Sequence, residues 1–496
     1  MNLAAPRMVD PKQVLDQAIA ALKVPGGELP LDDVDRALQV APHDPRLWHV
    51  KGLIHRQLEH RELAIPALRR AADLAPAEPL IAHGLARTLY EAGLPSVEVF
   101  VRAMRLAPNN PEVVTGMVSA LLAERRVADA IEGLETVLKR SPLWDGGHSL
   151  LASLRWAEGE REGFTRSFDV ALAGHPAAID LRRSQIMALM HAEQWQAALD
   201  RIEQGRAAMG DHPVFGVNEA IIHAELGHTE LADTLFAPYA QVEDGAVQVR
   251  RVRHLLRSAR PEQASELIDS WLYRPEGFMF WPYASIAWRM VDQARWEWLE
   301  GDESFVGVYD IADRLPPLER LAETLRRLHT LSGQPLEQSL RGGTQTDGDI
   351  FQHIDPVLVQ LREAIRAVVA EHVAKFPAQD ERHPLLAPRR DSIRFKGAWS
   401  VRLDKRGYHA NHMHPAGWIS SALYILLPPD LGQEEAGFLT LGEARAPSFP
   451  IALPPFRTVE PRPGRLVLFP SYMWHGTRPF SEGERMTVAF DVARQA

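Results

Sequence analysis

The chain has 496 residues, 46% hydrophobic and 24% charged, with a formal net charge of −10 and no cysteine. That length exceeds what one hydrophobic core usually organises, so two or more domains are expected. Without cysteine there are no disulfides, thiolate metal sites or cysteine nucleophiles, which leaves His, Asp and Glu as the strong metal ligands. The mildly acidic balance argues against a general nucleic-acid binder.

Met1-Asn-Leu-Ala-Ala-Pro-Arg-Met-Val-Asp10 lacks the apolar stretch of a secretory signal, and no apolar run approaches the roughly 20 residues of a membrane helix. The expectation is a cytoplasmic protein with no membrane association.

Prolines then recur at Pro42, Pro76, Pro108, Pro142 and Pro176, 32 to 34 residues apart. Three lie in related turns: Val40-Ala-Pro-His-Asp-Pro45, Leu74-Ala-Pro-Ala-Glu-Pro79 and Leu106-Ala-Pro-Asn-Asn-Pro111. Between them apolar residues step by three and four, as helices require. In the unit from Pro45 to Pro76, Trp48 and Gly52 lie one turn apart on a first helix. Ala64, Leu68 and Ala71 share a face of a second. Small residues at Gly52 and Ala64 let two antiparallel helices approach closely. Period and residues resemble the tetratricopeptide repeat. The resemblance implies an α-solenoid whose groove takes a peptide or protein partner. Later copies are weaker, with Ala82 in place of the tryptophan. His43, His49, His55 and His60 read as solvated residues on polar helix faces.

The repeat beat fades near Ala246, and an aromatic-rich connector follows, including Trp271, Tyr273, Phe280, Trp281, Tyr283, Trp288, Trp296 and Trp298. Such density needs a large burial site, and an interface between solenoid and C-terminal domain is expected rather than a ligand-stacking box. The polar stretch from Gln338 to Thr346 reads as a tight turn, with anion cradling by its Gly-Gly pair as the weaker alternative. Pro356–Val369 reads as an amphipathic helix covering a sheet. The expected domains are residues 1–240 (solenoid), 241–336 (connector) and 337–496 (β-domain).

From Ser392 the pattern turns to short β-rich runs: Ile393–Phe395, Trp399–Leu403, Ile419–Leu427, Gly437–Leu441, Arg457–Val459, Arg465–Phe469 and Met486–Phe490. Seven strands in this space predict a double-stranded β-helix of the jelly-roll or cupin kind. On one extended strand continuing to Leu427, His412 and His414 would leave the same face. His475 follows a later strand. Two imidazoles from one strand and a third from another can hold a metal while leaving its other side open. On the last strand Arg485, Thr487 and Ala489 share the face that looks into the barrel. Tyr424 is either a hydrogen-bonding group in the cavity or a structural sheet tyrosine. Trp474 and Arg478 flank His475 and are candidates for the substrate mouth.

His412-x-His414, His475, Arg485 and Thr487 resemble the pattern of the iron(II)- and 2-oxoglutarate-dependent oxygenases, in the branch joined to tetratricopeptide repeats. The resemblance implies iron(II) on His412, His414 and His475, and 2-oxoglutarate paired with Arg485 and assisted by Thr487. It also implies dioxygen as the oxidant, with hydroxylation of a protein, peptide or small molecule and decarboxylation of 2-oxoglutarate to succinate. One departure stands out: the family has a carboxylate where this chain has His414. Either His414 is a third imidazole ligand, which strand geometry favours, or it supports the site from outside. Two other readings remain: a cupin-type metalloenzyme that does not use 2-oxoglutarate, and a solenoid adaptor with an inactive barrel.

Overall fold

The computed structural model describes residues 10–24, 27–445, 449 and 451–494. They pack as two compact units. One holds the described residues up to Val137 together with Asp347–Val359; the other holds Leu138–Thr346 and Gln360 to the last described residue. No helix among the described residues is long and apolar enough to cross a membrane.

In the first unit each repeated turn does two jobs. Helices Leu31–Val40, Arg61–Leu74 and Val97–Leu106 end just ahead of one proline, and Pro45, Pro79 and Pro111 open the next helix at its first turn, where a missing N–H costs nothing. Asp44 and Asn110 cap those helices by accepting backbone N–H bonds from Arg46 (2.9 Å) and Glu112 (2.9 Å). Helices Pro45–Gln57 and Arg61–Leu74 then meet across Gly52, where a Cβ would lie 2.5 Å from the Leu68 side chain. Gly52→Ala should therefore lower the thermal midpoint. Overpacking costs about 1–3 kcal/mol, more than the roughly 1 kcal/mol of helix propensity that alanine adds. A rise in the melting temperature would sink this account of the contact.

Two of the four N-terminal histidines depart from expectation. His43 and His60 are exposed, but His55 is buried and His49 half-buried, and burial pushes the His49 imidazole down to about 4. The hairpins pack so closely that rings on the faces between helices lose their water. The strict residue count hides which face those are.

The second unit continues with helical pairs such as Ile179–His191 with Trp195–Met209 and Pro213–Glu225 with Thr229–Phe236. Their core gathers Phe164, Phe168, Ile186, Ile202, Phe215 and Ile222. The aromatic connector forms helices Trp281–Val291 and Gln293–Glu300, which lie against the β-domain. Tyr283 packs edge-on to Trp474 (5.8 Å between centroids), Trp296 packs on Phe456 (5.6 Å), and the Trp474 indole donates to the Pro282 carbonyl.

Beneath this layer Glu300 is buried, accepting from Ser285 (2.7 Å) and the Trp296 indole (3.0 Å), and burial raises its carboxyl to about 7. The sign follows directly. The unfolded chain releases this proton near pH 4.5 and the folded chain holds it to about 7, so stability falls as pH rises through that window and stays lower above it. Glu300→Gln keeps an acceptor for both donors and should remove a decline on the order of 3 kcal/mol. Chemical denaturation at pH 5 and pH 8 reads the difference. An unchanged slope would contradict the assignment.

The β-domain comprises β1 (Gly307–Asp310), β2 (Leu340–Gln345), β3 (Phe395–His409), β4 (Ile419–Leu426), β5 (Leu439–Leu441), β6 (Arg457–Val459), β7 (Arg465–Pro470), β8 (His475–Thr477) and β9 (Arg485–Val492). One sheet runs β1-β7-β4-β9-β3-β2 and the other β6-β5-β8, with every pairing antiparallel. Tyr424, Leu439, Leu441, Val467, Phe469 and Met473 fill the space between them. This is the expected double-stranded β-helix, joined to helical hairpins.

Three strands were not expected. β1 lies in text that reads as helical, β8 has only three residues, and β2 occupies the stretch read as a turn. At Gly343 a Cβ would meet the Arg402 carbonyl at 2.2 Å, and the β2–β3 register shifts between Arg341 and Gly343. The glycines thus serve a bulge and a close strand approach, with β2 backbone groups paired to β3 and not turned to an anion. The runs at Ile393 and Trp399 also merge into the single 15-residue β3.

Candidate metal centre

His412 and His414 do not lie on one continuous strand. β4 begins only at Ile419, and both histidines sit in the connector before it, which turns at Pro415 and Ala416. Pro415 cannot donate to a ladder, which ends regular pairing there. Main-chain bonds hold the connector in place instead. His412 and His475 exchange N–H···O=C bonds at 2.9 Å in both directions, and the His414 N–H donates to the Ser471 carbonyl at 2.8 Å. A single bridge thereby joins the first and last histidines of the set.

The result is convergence. His412, His414 and His475 offer ring nitrogens that all lie within 4.8 Å of one another. The other ring nitrogen of each is engaged. His412 Nδ1 faces the Ala410 carbonyl at 2.8 Å, His475 Nδ1 the Met473 carbonyl at 2.9 Å, and His414 Nδ1 the Asp491 carboxylate at 2.7 Å. A carbonyl or carboxylate oxygen can only accept, so each Nδ1 donates, and in His412 and His475 a neutral ring then keeps a lone pair on Nε2. Burial, with the neighbouring rings adding to it, holds His412 far below the usual histidine range and brings His475 to about 3. Neutral imidazoles with free Nε2 atoms are what a divalent metal requires.

Arg485 stands in the same cavity on β9, 2% exposed, with neither Nε nor Nη1 hydrogen-bonded to protein. Its guanidinium carbon lies 5.2 Å from the centre of the Tyr424 ring, and the buried Tyr424 hydroxyl interacts with it. Desolvation holds the guanidinium pKa below its ordinary value and raises that of the phenol. A buried cation with unused donors is costly, and a dianion bearing a terminal carboxylate would satisfy it. Thr487 sits opposite Tyr424 in the β4–β9 register and lines the cavity two residues from Arg485. The residues present therefore fit an iron ion with 2-oxoglutarate.

Asp491 was missed in the sequence, although its signal was there. It is the next same-face residue after Arg485, Thr487 and Ala489, and it pairs across strands with Ser420. Its second oxygen accepts from the Ser420 hydroxyl at 2.6 Å. Trp399 stacks on His414, 5.8 Å between centroids, and His409 lies nearly parallel to His412 at 5.8 Å with its Nδ1 3.1 Å from the Ser339 hydroxyl. Trp474 and Arg478 are not placed at the mouth. Trp474 is buried against the connector helices, and Arg478 pairs with Glu443 at 2.9 Å. Adjacent residues of an extended chain face opposite ways, so a neighbour of His475 points out of the cavity that His475 enters.

Fold and site together define a double-stranded β-helix with a three-histidine centre and an inward arginine. Residues 397–491 match the family model described as "Putative 2OG-Fe(II) oxygenase". Similar solved structures include a Pseudomonas putida prolyl-4-hydroxylase, 16% identical over 39% of this chain and 94% of that one, TM-score 0.26. A 2OG-Fe(II) oxygenase family oxidoreductase from Burkholderia pseudomallei is 11% identical over 39% and 87%, TM-score 0.26. Yeast Tom70 is 13% identical over 58% and 66%, TM-score 0.35. No curated protein matches the chain.

Proposed function

We propose that the protein is an iron(II)- and 2-oxoglutarate-dependent dioxygenase that hydroxylates a polypeptide. One observation carries the reading: three convergent imidazoles share a cavity with a buried guanidinium that has unused donors. Iron(II) and 2-oxoglutarate, when bound, supply the oxidising chemistry, in which dioxygen is consumed, the 2-oxo acid becomes succinate and a C–H bond gains a hydroxyl. His412, His414 and His475 hold the metal and leave its remaining positions open. Arg485 grips the far carboxylate as a two-pronged donor, and Thr487 and Tyr424 offer hydroxyls beside it. Burial between the sheets keeps water from competing for those donors.

The polypeptide assignment rests on a groove in the helical part of the same unit. Met187, Met190, Trp195 and Ile221 line it beside Arg250. Two of its residues contact the segment that carries the cavity-lining Gln338 and Ser339: His191 lies 3.4 Å from Glu337, and Arg341 pairs with Glu193 at 3.3 Å. A groove that mixes apolar side chains with the charged Glu193, Glu225, Arg250 and Arg253 suits an extended polypeptide with both kinds of side chain. A metalloenzyme without the 2-oxo acid would leave Arg485 with no partner, which disfavours that alternative.

The test is succinate formation from 2-oxoglutarate with iron and ascorbate, without and then with a peptide mixture. Turnover that peptides accelerate, and that Trp195→Ala reduces without lowering the peptide-free rate, supports the reading. No turnover with any 2-oxo acid would overturn it.

A further inference from the structure

The departure at His414 leaves three neutral ligands where the resemblance leads one to expect a carboxylate, and the missing charge has not left the site. Asp491, 8% exposed, places its carboxylate 2.7 Å from His414 Nδ1. Ser420 donates to its other oxygen, and Ser471 Oγ lies 2.9 Å from Ser420 Oγ, so the carboxylate is held by a buried hydroxyl pair. Among the described residues no lysine or arginine is paired with Asp491; its ion-pair partner is His414.

A buried carboxylate held by one imidazole and one hydroxyl is incompletely compensated. It becomes well compensated when a dication sits on the far side of the ring. The imidazole then passes part of the positive charge to its Nδ1–H, and the hydrogen bond to Asp491 strengthens. We propose that Asp491 is a positioning residue of the metal centre. Its carboxylate locks His414 with Nε2 toward the metal and supplies, one ring further out, the negative charge that a His-x-Asp site places directly on the ion. This rests on the reading of the three histidines as a metal site, and it explains how histidine replaces a carboxylate ligand without leaving the ion surrounded by neutral groups alone.

The experiment is anaerobic titration of the metal-free full chain with cobalt(II), following the visible ligand-field bands, in wild type, Asp491→Asn, His414→Asp and the double variant. Asparagine keeps an acceptor oxygen but not the charge. Asp491→Asn is expected to weaken cobalt binding about 10–100-fold, the usual cost of losing a group behind a metal-bound histidine. In the His414→Asp background, where the ion has its own carboxylate, Asp491→Asn should no longer weaken binding. A purely structural role for Asp491 would weaken both backgrounds alike. Wild-type affinity and bands in Asp491→Asn overturn the proposal, as does equal weakening in the two backgrounds. No cobalt binding by the wild type overturns it together with the metal-site reading. Should Asp491→Asn not fold, histidine-selective nitrogen NMR of the zinc-loaded wild type decides. His414 should carry its proton on Nδ1, slow to exchange with water, and a freely exchanging or unprotonated Nδ1 overturns the proposal.

Discussion

Arg485→Ala should abolish turnover that depends on 2-oxoglutarate while leaving the three histidines in place. The guanidinium is 2% exposed, and its Nε and Nη1 have no protein partner, so a bound dicarboxylate would gain a desolvated, charge-assisted pair there. Removing one member of such a pair costs about 2–5 kcal/mol, or roughly 30-fold or more in the Kd for 2-oxoglutarate. Two measurements separate this from general damage. Without 2-oxoglutarate the variant should melt no lower than wild type, because the residue removed is a buried cation with poor compensation. At 100 times the wild-type Kd, 2-oxoglutarate should stabilise the wild type by about 2.7 kcal/mol and the variant by about 0.9 kcal/mol or less. A variant that still binds the co-substrate with wild-type affinity would remove Arg485 from the site.

His475→Ala and His409→Ala form the second pair of expectations, and they differ in size. Both rings line the same cavity, and desolvation depresses both to about 3. They differ in what they face. His475 directs Nδ1 to the Met473 carbonyl and offers its other nitrogen to the three-histidine cluster, whereas His409 Nδ1 lies against Ser339 and the ring is outside that cluster. Loss of His475 should weaken metal binding by more than the roughly 10–100-fold that a supporting group costs. Loss of His409 should weaken it by less. Isothermal titration of each metal-free variant with cobalt(II) gives the comparison. Equal losses would mean the cavity, and not the particular ring, selects the ion.

The difference between His409 and His475 also marks how far the sequence could be read. The repeat was legible because its turns are local: a proline ends one helix, Asp44 or Asn110 caps the next, and the period repeats the message. The inward face of β9 was legible for the same reason, since alternation along one strand places Arg485 and Thr487 together. What eluded that logic is set by distant pairing. The connector carrying His412 and His414 is shaped by bonds to His475 and Ser471, far along the chain, and nothing within it announces the turn's geometry except Pro415. β2 looked like a turn because its two glycines are good turn residues, and only the nearness of Arg402 makes them strand residues. Asp491 was one step beyond where the alternation was followed.

The reciprocal main-chain bridge between His412 and His475 has a consequence for how the molecule comes into being. The bridge closes a loop that contains β4, β5, β6 and β7. Contacts so remote along a polypeptide form late. Until that loop closes, His412 and His475 have no fixed relation to each other, so the cluster of three rings belongs to the finished fold and not to any one segment of it.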